Sequence, residues 1–225
     1  MQNPAATTPR EAILLLGPTG SGKTPLGQAL EERGLWGHRC SHFDFGTNLR
    51  EIVARNQPDE SIGAEDITLL RRMVDGGLLL EDEHFPLAAR ILRRFMAHQS
   101  PDPTTWIVLN GLPRHLGQAQ AMEGIVVVHT VVYLDCSAHV VAERIGDNVG
   151  GDRNQRQDDD AEAIRRKLAI FAERTAPLLH YYRSRQVRIE TVEVGPRSTA
   201  EEMWRTIESS GIAGIRSRNR RRQAI

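Results

Sequence analysis

Gly17-Pro18-Thr19-Gly20-Ser21-Gly22-Lys23-Thr24 has the spacing G-x-x-x-x-G-K-T, with an apolar run (12–16) before it and an amphipathic stretch (26–33) after it. A buried strand that ends in a glycine-rich turn and opens into a helix points successive backbone N–H groups at one place. That arrangement suits a polyphosphate. In this reading Gly17, Gly20, Ser21 and Gly22 form the cradle, Lys23 reaches the outer phosphates, and the Thr24 hydroxyl stands where Mg²⁺ is held. The motif predicts nucleotide binding; it does not by itself say what happens to the nucleotide. A second set of reactive side chains, His38, Cys40 and His42, alternates along the chain and so falls on one side of a strand. It reads either as a metal set or as the side chains of a strand at a sheet edge.

Apolar segments at 12–16, 39–43, 106–110, 130–135 and 186–192 read as strands. Helical patterns lie between them at 26–33, 47–56, 64–75, 82–98, 115–123, 138–145 and 159–183, the last with a bend expected at Pro177. Ser198-Thr199-Ala200-Glu201 reads as a capping box that opens a final helix. Strand and helix in this alternation require right-handed crossovers, which predicts a parallel sheet with helices on both faces. The segment 146–157, rich in Gly and Arg, breaks the pattern and reads as an exposed loop. It serves either as a short closing lid or as an ordinary connection between helices.

The 225 residues suffice for one compact domain, placed at 11–210 between a disordered start (1–10) and a basic, disordered tail (211–225). The formal net charge is zero, so the chain as a whole has no electrostatic reason to seek nucleic acid, apart from a weak role for the arginines at 216, 218 and 220–222. Cys40 and Cys136 are far apart and form no C-x-x-C, which argues for reduced thiols in a cytoplasmic setting. Residues 1–10 lack the apolar core of a signal peptide, and no apolar run approaches the roughly 18 residues that span a bilayer. Of the 29 basic residues all but Lys23 and Lys167 are arginine, which makes each lysine a position to inspect.

Further motifs resemble those of the adenylate kinases and, more broadly, of the nucleoside monophosphate kinases, over roughly 13–207. Gly46-Thr47-Asn48-Leu49-Arg50 resembles G-D-L-L-R, which implies that Arg50 holds the phosphate of an acceptor monophosphate beside Gly46. Asp75-Gly76-Gly77-Leu78-Leu79-Leu80-Glu81 is similar to the segment that lines the acceptor base, with Gly76 as the matching glycine. Asn110-Gly111-Leu112-Pro113-Arg114 with Gln118 resembles D-G-F-P-R-x-x-x-Q, which implies that Arg114 grips the acceptor phosphate and Gln118 contacts the base. Glu143-Arg144-Ile145 resembles the entrance to the family's lid, where the arginine stacks on the donor base, and Arg156-Gln157-Asp158-Asp159 resembles its exit. The resemblance implies a P-loop NTPase fold with a five-stranded parallel sheet and a short lid. It also implies ATP and Mg²⁺ as cofactors, Lys23, Arg114, Arg156 and Lys167 as the catalytic charges, and a monomer that meets small nucleotides and no membrane. The lid has no cysteines, so no zinc is expected in it.

The chain departs from the family where an aspartate is replaced by Asn110, the second lid arginine by Asn148, a later arginine by Lys167, and a base-contacting threonine by Phe45. G-K-T-P in place of G-K-G-T moves the hydroxyl forward to Thr24. Asn110 brings no negative charge, and loss of such a supporting group typically costs about 10- to 100-fold. Lys167 keeps the charge but not the planar fork of an arginine, so Lys167→Arg is expected to raise turnover, most visibly when paired with Asn110→Asp. Arg153 is a candidate to supply the charge that Asn148 lacks. The expected activity is transfer of the γ-phosphoryl group of ATP to a nucleoside monophosphate or similar acceptor. The alternatives are a nucleotide-binding module without turnover and a kinase whose acceptor site Phe45 has opened to another metabolite. Because Arg50 and Arg114 are both kept, a phosphorylated acceptor is favoured over a bare alcohol.

Overall fold

The structure, a computed structural model, describes residues 8–151 and 160–222, with side chains as far as residue 211. Its five strands are β1 (Arg10–Leu16), β2 (Cys40–Asp44), β3 (Trp106–Asn110), β4 (Val126–Asp135) and β5 (Arg188–Glu193). They form one parallel sheet in the order β2-β3-β1-β4-β5. Central β1 is buried on both sides: Ala12, Leu14 and Leu16 enter one core while Ile13 and Leu15 enter the other. This two-sided burial is why the strand reads as an unbroken apolar run.

The helices are α1 (Lys23–Arg33), α2 (Phe45–Arg55), α3 (Ala64–Gly76), α4 (Phe85–His98), α5 (Leu116–Ala121), α6 (Ala138–Gly146), α7 (Ala161–Ile170), α8 (Leu178–Ser184) and α9 (Ala200–Arg222). Leu49 of α2, Leu70 of α3, Leu92 of α4, Ala119 of α5 and Leu178 of α8 cover one face. Leu26 and Leu30 of α1, Val141 of α6, and Met203 and Ile207 of α9 cover the other. The result is the α/β P-loop NTPase architecture, with helices on both faces. Strand register sets Leu15 beside Asn110 and Asn110 beside Asp44, so three carboxyl ends finish level at one rim. Ligands of such sheets bind outside that rim. Among the described residues no helix is long and apolar enough to cross a membrane.

Several elements differ from expectation. The predicted single helix over 159–183 is broken by a π-helical turn, Phe171–Thr175, in which the Ala176 N–H reaches back five residues to the Phe171 carbonyl (2.8 Å). Pro177 has no N–H to donate and its ring crowds the carbonyl four residues earlier, so the helix already loosens upstream of the proline, turns at Ala176 and Pro177, and restarts as α8 at Leu178. The capping box lies one residue later than predicted: the Thr199 hydroxyl accepts from the Glu202 N–H (3.2 Å), and Glu202 accepts from the Thr199 N–H (2.9 Å). Ser198 instead accepts from the Gly195 N–H (2.9 Å). β4 starts at Val126, earlier than predicted, with an irregularity in its pairing to β1 near His129. α9 continues to Arg222, through most of the segment set apart in the sequence as a tail.

Candidate functional site

The loop between β1 and α1 is shaped by Gly20 (φ 77°) and Gly22 (φ 96°), both in the left-handed region that side chains disfavour. Neither position has room for more: a Cβ on Gly20 would stand 2.8 Å from Ile145, and one on Gly22 3.1 Å from both Arg144 and Met203. α1 opens without a side-chain cap and without an acidic residue in its first turn. Its terminal N–H groups and the positive end of its dipole are therefore left for an anion. Lys23 folds over the loop and donates from Nζ to the carbonyls of Gly17 and Pro18, both at 2.7 Å. Ser21 lies under the loop, fully buried, and its hydroxyl has no hydrogen-bond partner among the described residues. Its N–H closes a turn on the Pro18 carbonyl (3.3 Å).

Above the rim is a cleft of about 640 Å³, a size that suits small-molecule ligands. Gly17, Gly20, Gly22, Lys23 and Thr24 line one side; Gly46, Arg50, Arg114 and Gln118 line the other, and Lys167 of α7 lies on its wall with Ile170 and Phe171. The structure thus brings together residues that the sequence spreads over 150 positions. Three of the described predicted residues are not among those lining it. Ser21 lies below, and Gly76 ends α3 while its neighbours Asp75 and Gly77 form the wall. Arg144 is buried (3% exposed) and donates to the carbonyls of Gly20 (3.1 Å), Gly195 (2.9 Å) and Ser198 (2.8 Å), so it braces the phosphate loop from beneath. Arg156, with Arg153, falls outside the described residues, as does the lid beyond Gly151.

At the acceptor side Arg114 has a well-held backbone: its N–H donates to Gln118 Oε1 (2.8 Å) and its carbonyl accepts from the Thr175 hydroxyl (2.7 Å). No side chain or carbonyl among the described residues accepts from its guanidinium, and desolvation, unopposed by any acid among those residues, pushes its pKa down. A recessed cation of this sort is poised for an anion. Gly46 makes room for the second arginine, for a Cβ there would lie 3.3 Å from Arg50, whose guanidinium donates to Thr47 Oγ1 (2.9 Å). Gln118 is buried with its amide engaged at both ends, since Nε2 donates to the Leu80 carbonyl (2.7 Å). It ties the Arg114 turn to the loop after α3. Arg174 of the π turn adds a bidentate ion pair to Glu81 of that loop (2.6 and 2.8 Å).

Between the two sides lies a polar corner that motif reading missed in part. The Thr24 hydroxyl donates to Asp44 Oδ2 (2.7 Å), and Asn110 Nδ2 donates to the same oxygen (2.8 Å). His42 Nε2 stands 3.4 Å from Asn110 Nδ2; burial lowers its pKa, although Asp44 and Glu31 pull the other way. Magnesium in phosphate sites takes one or two protein oxygens and fills its shell with water and phosphate. A threonine hydroxyl with an acidic side chain beside it, both on the cleft wall, fits that demand. His38, Cys40 and His42 do not form a common site: His38 stacks on Trp106 (ring centroids 4.0 Å apart), and burial pushes the Cys40 thiol up to about 12, away from the thiolate a metal would need. β2, which carries Cys40 and His42, is an edge strand.

Residues 15–187 match the family model described as adenylate kinase. The chain is 30% identical over 215 residues to an adenylate kinase of Parvibaculum lavamentivorans, covering 92% of this chain and 93% of that one. It is 32% identical over 206 residues to one of Prochlorococcus marinus, covering 89% and 98%. A solved gluconokinase of Sinorhizobium meliloti shares the fold, with a TM-score of 0.54 and 20% identity over 97% of this chain and 99% of that one. With the phosphate loop, the cleft and the matched span agreeing, the chain belongs to the adenylate kinase family.

Proposed function

We propose that the chain transfers the γ-phosphoryl group of ATP to a nucleoside monophosphate or a closely similar phosphorylated acceptor. The observation that carries this reading is a pair of anion seats facing one cleft: the uncapped start of α1 on one side and, on the other, the Arg114 guanidinium, which has no acceptor among the described residues. One seat alone would suit a nucleotide-binding module. Two seats suit a donor and a phosphorylated acceptor held for in-line displacement, a reaction that asks mainly for alignment and charge neutralisation. An oxygen of the acceptor phosphate attacks the γ-phosphorus, the bond to the β-phosphate oxygen breaks, and ADP and the phosphorylated acceptor leave. Lys23 neutralises charge on the donor phosphates, Arg114 and Arg50 hold the acceptor phosphate, and Lys167 adds positive charge from α7. Magnesium would be held at Thr24 and supplies further charge neutralisation when bound.

A coupled assay of ADP release, with ATP and each common monophosphate in turn, tests the reading. The expected result is turnover with at least one monophosphate, and its loss by on the order of 10²- to 10³-fold in Lys23→Ala. Nucleotide binding without turnover for any phosphorylated acceptor would establish the module instead, and unchanged turnover in Lys23→Ala would refute the phosphate-loop role.

A further inference from the structure

We propose that Asp44 supplies the carboxylate of the magnesium corner and that Asn110 serves as its hydrogen-bond donor, so that the negative charge has moved from the end of β3 to the end of β2. The inference rests on the reading that a magnesium nucleotide occupies the phosphate loop. Parallel register sets Asp44 directly beside Asn110 at the rim. Every described hydrogen bond of the Asp44 carboxylate is with a donor: Oδ2 receives the Thr24 hydroxyl (2.7 Å) and Asn110 Nδ2 (2.8 Å), and Oδ1 receives the Thr47 N–H (2.9 Å). Only the last of these is needed to cap α2, and any small oxygen-bearing side chain would do that. The Oδ2 contacts instead join α1 and β3 around one anionic oxygen.

The proton inventory points the same way. A threonine hydroxyl that gives its proton to a carboxylate keeps its lone pairs for other partners. Asn110 Nδ2, 3.1 Å away, takes part of that capacity and leaves the rest for a hard cation. Asn110 presents a donor to this centre, which suits a residue that positions a carboxylate and not one that replaces it. The carboxylate at 44 thereby offsets the lack of one at position 110. The expectation that Asn110→Asp adds to the gain from Lys167→Arg is reversed for the change at 110, because two carboxylates within hydrogen-bond distance cannot both ionise comfortably.

The test is titration calorimetry of a non-hydrolysable ATP analogue into the full chain, with Mg²⁺ and with EDTA, for wild type, Asp44→Asn, Asn110→Asp and the exchange variant carrying both. Asparagine keeps the α2 cap, and thermal melting without ligand checks the fold of each variant. Asp44→Asn is expected to retain metal-free affinity and to lose about 10- to 100-fold of the gain that Mg²⁺ confers on wild type; the exchange variant is expected to recover most of it. Asn110→Asp alone is expected to bind Mn²⁺ without nucleotide, seen as quenching of the free-ion paramagnetic signal, because the cation relieves the carboxylate pair. That readout stands even if Asp44→Asn fails to fold. A full Mg²⁺ gain in folded Asp44→Asn, or no Mn²⁺ binding by Asn110→Asp, would overturn the role of Asp44 while leaving nucleotide binding in place. Absence of analogue binding by wild type under both conditions would overturn the reading beneath it.

Discussion

Arg114→Met removes the guanidinium and keeps most of the stem, which separates two readings of this residue. A structural arginine is paired, and its removal leaves partners stranded. Among the described residues Arg114 has neither an acceptor for its guanidinium nor an opposing acid, and burial lowers its pKa, so without a bound anion the charge is a burden. Its backbone hydrogen bonds, to Gln118 and from Thr175, do not depend on the side chain. The empty variant is therefore expected to melt at the wild-type temperature or above it, by about 2–4 °C for each kcal/mol relieved in a domain of this size. The acceptor loses a hydrogen bond to a charged group, worth about 1.5–3 kcal/mol, so its affinity falls by about 10- to 100-fold, whereas ATP, seated across the cleft, keeps its own. Initial rates over a matrix of ATP and acceptor concentrations, with calorimetric melting of the ligand-free protein, measure both effects. A lower melting temperature with an unchanged acceptor constant would refute the anion-seat argument and make Arg114 a structural residue.

Gln118→Ala is expected to behave oppositely, because it strips an acceptor from the Arg114 N–H and a donor from the Leu80 carbonyl inside the protein. The Leu80 carbonyl keeps His115 Nε2 at 3.1 Å, so the group left unsatisfied is the Arg114 N–H. At about 1–3 kcal/mol for that loss, thermal unfolding should drop by a few degrees, and the acceptor constant should rise as the Arg114 turn loosens; an unaltered melting temperature would contradict the bracing role. His42 carries a pH prediction whose sign follows from its lowered pKa. The unfolded chain takes up its proton near the ordinary value of about 6.5 while the folded protein still resists it. Stability is thus present above that pH and declines as pH falls from about 7 toward 5. Urea unfolding across that range should show a shallower decline in His42→Gln, and equal slopes would exclude His42 as a source.

The parts of this protein that were legible in the sequence are those whose cause is local. The phosphate loop is encoded by glycines at positions where a Cβ meets Ile145 or Arg144, and by an apolar strand beside it. The sheet follows from the alternation of buried runs with amphipathic ones. The π turn was only half legible: Pro177 announces a defect, but how far upstream it is absorbed depends on what the loosened turn can reach. Here Thr175 reaches the Arg114 carbonyl and Arg174 reaches Glu81. Gln118 was found by its interval from Arg114, yet its other partner, Leu80, lies 38 residues back, so a motif could locate it without revealing that its amide is engaged in holding backbone.

Asp44 shows the limit most clearly. Read along the chain, it is the last residue of a strand and a good helix cap, which is sufficient explanation for an aspartate there. What gives it a second role is its neighbour across the sheet. Asn110 is 66 positions away and becomes adjacent only through the β2–β3 register, in which a slip of one residue would put the two side chains on opposite faces. A motif compared position by position reports a missing charge at 110, whereas the sheet brings a carboxylate to the same corner from the next strand. Phosphoryl transfer depends on the charge and its place relative to Thr24, not on which strand delivers it. Counting charges at the rim of the sheet is therefore a better guide to this site than matching residues along the chain.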